Sequence, residues 1–269
     1  MEDTAEFDDL IVRQRAPEKF VDAAVTLDGK TRASVALAHL ETLWFNTGTL
    51  CNITCRNCYI ESSPRNDRLS YIAFEEVVRY LDEIAVLGLH ARTIGLTGGE
   101  PFMNPDIEAI LTVCLERGFD VLVLTNAMRP MMHHVDALRD LNARFGGRLA
   151  VRVSLDHYTA VLHEDERGRD TWQPALAGLR WLSAAGIRVH AAGRTRWGGD
   201  EHELREGYAR LFAEHDIAID ARDPAQLVLF PEMDADAAVP EITTECWGIL
   251  GVAPASIMCA SSRMVVKRS

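Results

Sequence analysis

Thr93-Ile94-Gly95-Leu96-Thr97 runs directly into Gly98-Gly99-Glu100-Pro101-Phe102. The first five residues read as a short buried strand, ended by two glycines where the backbone must turn or be closely approached. Upstream, Phe74, Val77, Val78, Leu81 and Ile84 recur at helical spacing and Gly88 marks the stop. Downstream, Asn104-Pro105 supplies a capping residue and a first-turn proline for a second helix, with Ile107, Ile110, Leu111, Cys114 and Leu115 on its apolar face. A strand set between two helices needs crossover connections, and hence a parallel sheet.

The same unit repeats along the chain. Leu43–Asn46, Val121–Asn126, Leu149–Ser154, Ile187–Ala191 and Gln226–Phe230 read as further strands with helical patterns between them. Six β-α units predict an α/β fold, a partial (β/α)6 TIM-like barrel of parallel strands with every helix outside, because crossovers are right-handed. The barrel is expected over 41–232. Ahead of it, 1–40 reads as an accessory segment whose Asp28-Gly29, set between two β-prone runs, predicts a β-hairpin. Behind it, 233–269 forms a short C-terminal extension ending in the strand-like Arg263–Lys267.

Directly after the first strand comes Cys51-Asn52-Ile53-Thr54-Cys55-Arg56-Asn57-Cys58-Tyr59, a C-x3-C-x2-C loop. Three thiolates are one short of a structural zinc site, whereas a four-iron cubane held by three cysteines keeps one iron open to a ligand. A zinc site completed by Cys114, Cys246, Cys259 or a histidine would leave Gly98-Gly99-Glu100 without a role. Both motifs follow strands, at the carboxyl edge where parallel α/β folds bind ligands.

With these two motifs in this order, the chain resembles the radical S-adenosylmethionine (SAM) superfamily from about Leu43 to Phe230. The resemblance implies that Cys51, Cys55 and Cys58 hold a [4Fe-4S] cluster and that SAM chelates its open iron. Gly98, Gly99 and Glu100 would then meet the SAM amino group. It further implies reductive cleavage of SAM to methionine and a 5′-deoxyadenosyl radical, which takes a hydrogen atom from a small-molecule or peptide substrate. A low-potential electron donor of flavodoxin or ferredoxin type is implied as well.

Softer matches follow from the same resemblance. Ser154 and Asp156 close the fourth strand, where the family contacts the ribose or methionine part of SAM; an Asx turn or helix cap is the alternative. Asn126 serves either SAM or its own tight loop. Arg167, with His163 and Gly168, resembles a stretch of peptide-modifying members in which an arginine approaches the SAM carboxylate; Arg167 and Arg194 read equally well as solvated. One departure is Asn57, where the family often places an aromatic residue near the adenine.

Cys246-Trp247 and Met258–Ser262 look partly like the opening of a SPASM or Twitch auxiliary-cluster domain cut short, and two cysteines alone cannot hold a cubane. A structural role for both is the alternative. Cys114 reads as a buried helix residue and His133-His134 as a solvated helix face.

With 269 residues, 48% of them hydrophobic, the chain can bury one substantial core. A net charge of −12 without a Lys/Arg cluster argues against a nucleic-acid partner. Five acidic groups in the first ten residues exclude a signal segment there, and no long apolar run points to a membrane, so a cytoplasmic location is expected. Clustered cysteines suit that reducing compartment. The competing class is a non-catalytic iron-sulfur or zinc redox sensor or binding module on a degenerate barrel, which would have no use for the Gly-Gly-Glu edge with Ser154 and Asp156.

Overall fold

Seven parallel strands make one sheet in a computed structural model of the chain, which describes residues 18–231 and 238–268. In chain order the elements are β1 (Thr42–Asn46), α1 (Phe74–Val86), β2 (Thr93–Thr97), α2 (Ile107–Glu116), β3 (Asp120–Thr125), α3 (Arg129–Met132), α4 (Val135–Phe145), β4 (Leu149–Ser154), α5 (Ala160–Arg167), α6 (Trp172–Ala184), β5 (Arg188–Arg194), α7 (Glu201–Glu214), β6 (Leu227–Phe230), α8 (Glu245–Leu250) and β7 (Ser262–Val265). The strand order β6-β5-β4-β3-β2-β1-β7 leaves two edges, so the barrel is partial. The acidic first ten residues, read above for the lack of a signal segment, lie outside the described residues.

Alternation along the strands sorts the side chains. In β3, Val121, Val123 and Thr125 are buried against the helices, while Leu122 and Leu124 face the lumen and stay half-buried. Val77, Leu81 and Ile84 of α1 and Ile110, Leu111 and Leu115 of α2 complete that core. Each such side chain contributes roughly 1.5–3 kcal/mol by leaving water. Inside the lumen the Trp44 indole covers Gly95, where a Cβ would stand 2.2 Å from the ring.

Three local expectations change. The strand-like C-terminus is a full member of the sheet: β7 runs parallel to β1, from Thr42↔Ser262 to Phe45↔Val265, because an open barrel leaves that edge of β1 unpaired. The Asp28-Gly29 turn forms, with Gly29 at φ +78, yet the expected hairpin shrinks to one bridge, Val25↔Thr31. Its second arm is drawn away, with Arg32 bridging Thr243 and ion-pairing with Glu241 at 2.6 Å. The helix expected to open at Asn104 starts at Ile107, after a 3-10 turn over Pro101–Met103. The Asn104 amide is used instead to donate to Ile72 O, at 2.9 Å, tying that turn to the segment before α1.

Candidate active site

The loops leaving β1 and β2 start level, because Asn46 pairs with Thr97, and they then zip together. Thr47 N donates to Thr97 O at 2.7 Å, Gly99 N to Gly48 O at 2.8 Å and Glu100 N to Leu50 O at 3.0 Å. This zip demands glycine. A Cβ on Gly99 would sit 2.1 Å from Leu50 O, and one on Gly98, itself at φ +143, would sit 2.5 Å from Gly48 O. The glycines therefore admit the backbone of the cysteine loop, as well as lining the cavity above it.

Cys51, Cys55 and Cys58 carry free thiols and open onto one cavity of about 470 Å³. Burial pushes the Cys51 thiol up to about 12 and raises Cys55, the latter opposed by the Arg167 guanidinium. Ser62 N donates to Cys58 Sγ at 3.3 Å and the Asn126 amide to Cys51 Sγ at 3.8 Å. The donor set fits a cluster: three thiols line one cavity, two with donors to sulfur, in a wall where a cationic centre would displace the thiol protons. Among the described residues, no three His, Cys, Asp or Glu groups converge as ligands of a single metal ion would.

Glu100 stands differently from the expectation that it faces a ligand cation. It is 1% exposed and lies beneath the cavity lining. Its carboxylate accepts from Phe102 N at 3.1 Å, Thr125 Oγ1 at 2.8 Å and Asn126 N at 2.9 Å. Burial raises its pKa against the pull of those donors. A carboxylate this deep needs such partners, and through them it sets the end of β3. Asn126 lines the cavity and also donates to Asn52 Oδ1 at 2.8 Å, so it shapes the cysteine loop.

On the opposite wall Ser154, Asp156, Arg167 and Arg194 share the cavity. Neither arginine is solvated. Asp156 accepts from Arg167 Nε at 2.5 Å and Arg194 Nε at 3.1 Å. Next to them stands Glu166, its side chain fully buried, which accepts from Arg196 at 2.7 Å and from Asn57 N and Nδ2 at 2.8 and 2.9 Å. Glu166 O also accepts from Arg56 N, at 2.8 Å. Glu166 and Arg196 escaped the sequence reading because charged residues at a helix end and in a loop look solvated. The only hint lay in Asn57, a polar residue where the resembled family prefers an aromatic one.

Other residues fall outside the cavity. His163 packs edge-on against Trp172, fully buried, and burial with the neighbouring Arg167 holds its pKa down to about 4. His134, read as solvated, instead bridges Glu108 Oε1 at 2.5 Å and Phe102 O at 3.2 Å. Cys114 is buried in α2, as its spacing predicted. Cys246 lies half-buried in α8 and Cys259 is exposed in a 3-10 turn.

A parallel partial barrel whose carboxyl edge joins three free cysteines to a glycine-lined cavity defines a cofactor-using α/β enzyme class. The chain belongs to the radical SAM superfamily, whose family model matches residues 45–216. That family uses a [4Fe-4S] cluster and SAM. The chain is 29% identical over 143 residues to the antilisterial bacteriocin subtilosin biosynthesis protein AlbA of Bacillus subtilis (strain 168), covering 53% of this chain and 30% of that protein. It is 34% identical over 140 residues to a GTP 3′,8-cyclase of Rhodococcus opacus (strain B4), covering 51% and 38%. In fold it is similar to Streptococcus suis SuiB bound to SAM, with a TM-score of 0.59 at 14% identity over 86% of this chain and 51% of that one. The complex of SuiB with precursor peptide SuiA gives 0.58 at 17% identity, over 74% and 40%. The matched stretches thus cover well under half of the two curated relatives and about half of SuiB. No helix among the described residues is long and apolar enough to cross a membrane.

Proposed function

We propose that this chain carries the SAM-cleaving core of a radical SAM enzyme, with Cys51, Cys55 and Cys58 as the iron ligands. The observation that carries it is the opening of three free thiols and the Gly98-Gly99 edge onto one cavity. Bound there, the cluster and SAM supply one-electron reductive cleavage to methionine and a 5′-deoxyadenosyl radical, and with it hydrogen-atom abstraction from a substrate.

The chain's own residues hold and shield. Gly98 and Gly99 present bare backbone to the methionine end of SAM. Asn126 orients the Cys51 side of the loop, and Glu100 orients Asn126 from below. Ser154 offers a hydroxyl to the ribose or methionine part. The Asp156 carboxylate fixes the Arg167 and Arg194 guanidinia in place, so the wall facing the cysteines carries ordered positive charge suited to an anionic end group.

We read the substrate as a peptide or protein side chain, supported by the SuiA-bound neighbour and by AlbA's part in making a bacteriocin. A flavodoxin- or ferredoxin-type donor and a cytoplasmic setting belong to the same proposal, since a low-potential cluster needs both an electron source and reducing surroundings. The test is anaerobic reconstitution with iron and sulfide, then dithionite and SAM, quantifying 5′-deoxyadenosine against a Cys55→Ala control. Cysteine-dependent release is expected; a Cys55→Ala protein that keeps its iron and its cleavage would overturn the assignment.

A further inference from the structure

The arginines on the cavity wall are not treated alike. Arg167 and Arg194 share the Asp156 carboxylate. Arg152 also lines the cavity and among the described residues has no ion pair. It sits on the lumen face of β4, two residues and roughly 7 Å deeper than Ser154. Its register neighbours are Leu124 of β3 and His190 of β5.

Its bonding is far from complete. One Nη donates to Ala225 O at 3.3 Å, while Nε is buried with no partner among the described residues. A guanidinium offers five donors and keeps its charge at any physiological pH. His190 gives no counter-charge: its Nδ1 shares the same Ala225 O at 2.8 Å, and burial lowers its pKa toward the neutral ring. Burial opposes the charge on Arg152 as well. Leaving a half-buried cation with a desolvated Nε and no counter-charge among the described residues, beside two guanidinia that already share one carboxylate, costs free energy unless a ligand completes it.

The surroundings narrow the ligand. Leu124, Ala192, Gly193 and Phe230 make the adjoining wall apolar. One unbalanced positive charge matches one negative charge, and a planar fork of donors matches a carboxylate. We propose that Arg152 anchors a carboxylate of the substrate in the lumen, with the rest of the molecule rising along the apolar wall toward the cysteine loop. The inference rests on the proposed function for what is done to the anchored molecule; carboxylate binding itself needs neither cluster nor SAM.

The experiment uses the full chain without added iron and capped amino acids as probes, observed by saturation-transfer NMR. N-acetylglycine represents a chain-terminal carboxylate and N-acetylglutamate α-amide a side-chain one. N-acetylglycinamide and N-acetylglutamine α-amide are their neutral counterparts. At least one carboxylate is expected to bind in preference to its amide, and which one identifies the source. Arg152→Gln should weaken that probe at least about tenfold, and Arg152→Lys should retain part of the affinity. Equal binding of acids and amides, or an Arg152→Gln protein that keeps the preference, would overturn the proposal. So would a parallel loss of SAM affinity in Arg152→Gln, measured against wild type after both are reconstituted with iron and sulfide, which would give the cation to the SAM carboxylate. Failure of the radical SAM reading appears elsewhere, as a wild-type chain that neither loads iron nor cleaves SAM.

Discussion

Glu166 grips the cysteine loop through Asn57, accepting from its backbone N–H at 2.8 Å and from its side-chain amide at 2.9 Å, between the second and third cysteines. The side chain that replaces the expected aromatic residue is thereby turned onto α5 and held there. The geometry of Cys55 and Cys58 depends on a carboxylate 109 residues away in sequence.

Removing that carboxylate strands three donors. Glu166→Ala leaves Asn57 N, Asn57 Nδ2 and the Arg196 guanidinium without their acceptor, at a cost of roughly 3 kcal/mol. Urea unfolding should show this loss, and iron content after reconstitution should fall with it. Glu166→Gln keeps an acceptor and should lose less. A Glu166→Ala protein as stable and iron-rich as wild type would refute the grip.

Gly99→Ala tests the zip between the two loops. The new methyl would have to displace Leu50 O, a backbone atom adjacent to Cys51, so the expected result is overpacking of about 1–3 kcal/mol and impaired iron loading. Gly248→Ala is the control: a Cβ there would meet no atom of the described residues within 4 Å beyond its chain neighbours and its own helix backbone in α8, and alanine should be neutral or stabilising by about 0.5–1 kcal/mol. Similar behaviour of the two variants would count against the close approach.

Glu100→Gln should act on SAM indirectly. An amide places an N–H₂ where the carboxylate accepted from Thr125 or Asn126, so the end of β3 shifts and stability falls by about 1–3 kcal/mol. Equilibrium dialysis should show weaker SAM binding with iron content retained. Loss of iron in step with SAM would mean that Glu100 shapes the whole loop rather than its Asn126 side.

Acid should loosen the N-terminal segment. Glu241 accepts from Leu27 N at 2.5 Å, Phe20 N at 2.7 Å and Arg32, which hold its pKa down to about 2 from the ordinary 4.5. Its folded pKa is depressed, so the stability it contributes is present above about 4.5 and drains away as pH falls toward 2. Melting curves of wild type and Glu241→Gln should differ at pH 7 and converge near pH 2. A constant difference across that range would rule out this titration.

Much of this was written locally in the chain. Strand β4 runs over the residues its apolar pattern predicted, because a buried strand imposes its composition on consecutive positions. The Asp28-Gly29 turn likewise forms where its φ > 0 glycine stands, while its flanking strands yield to Thr243 and Glu241 from the far end of the chain. His134 looked solvated beside His133 and is instead shared between Glu108 and Phe102.

By itself the sequence determined the six β-α units, the three-cysteine loop and the glycine edge, since each is encoded by residue types at short, fixed spacing. Only the tertiary structure decided that β7 closes onto β1, that Glu100 faces protein donors, that Glu166 joins Arg196 to Asn57 and that Arg152 has no ion pair among the described residues. Those outcomes turn on which charges meet across long sequence separations. The same glutamate or arginine reads as solvated until packing removes water from around it, and only then must a partner be found.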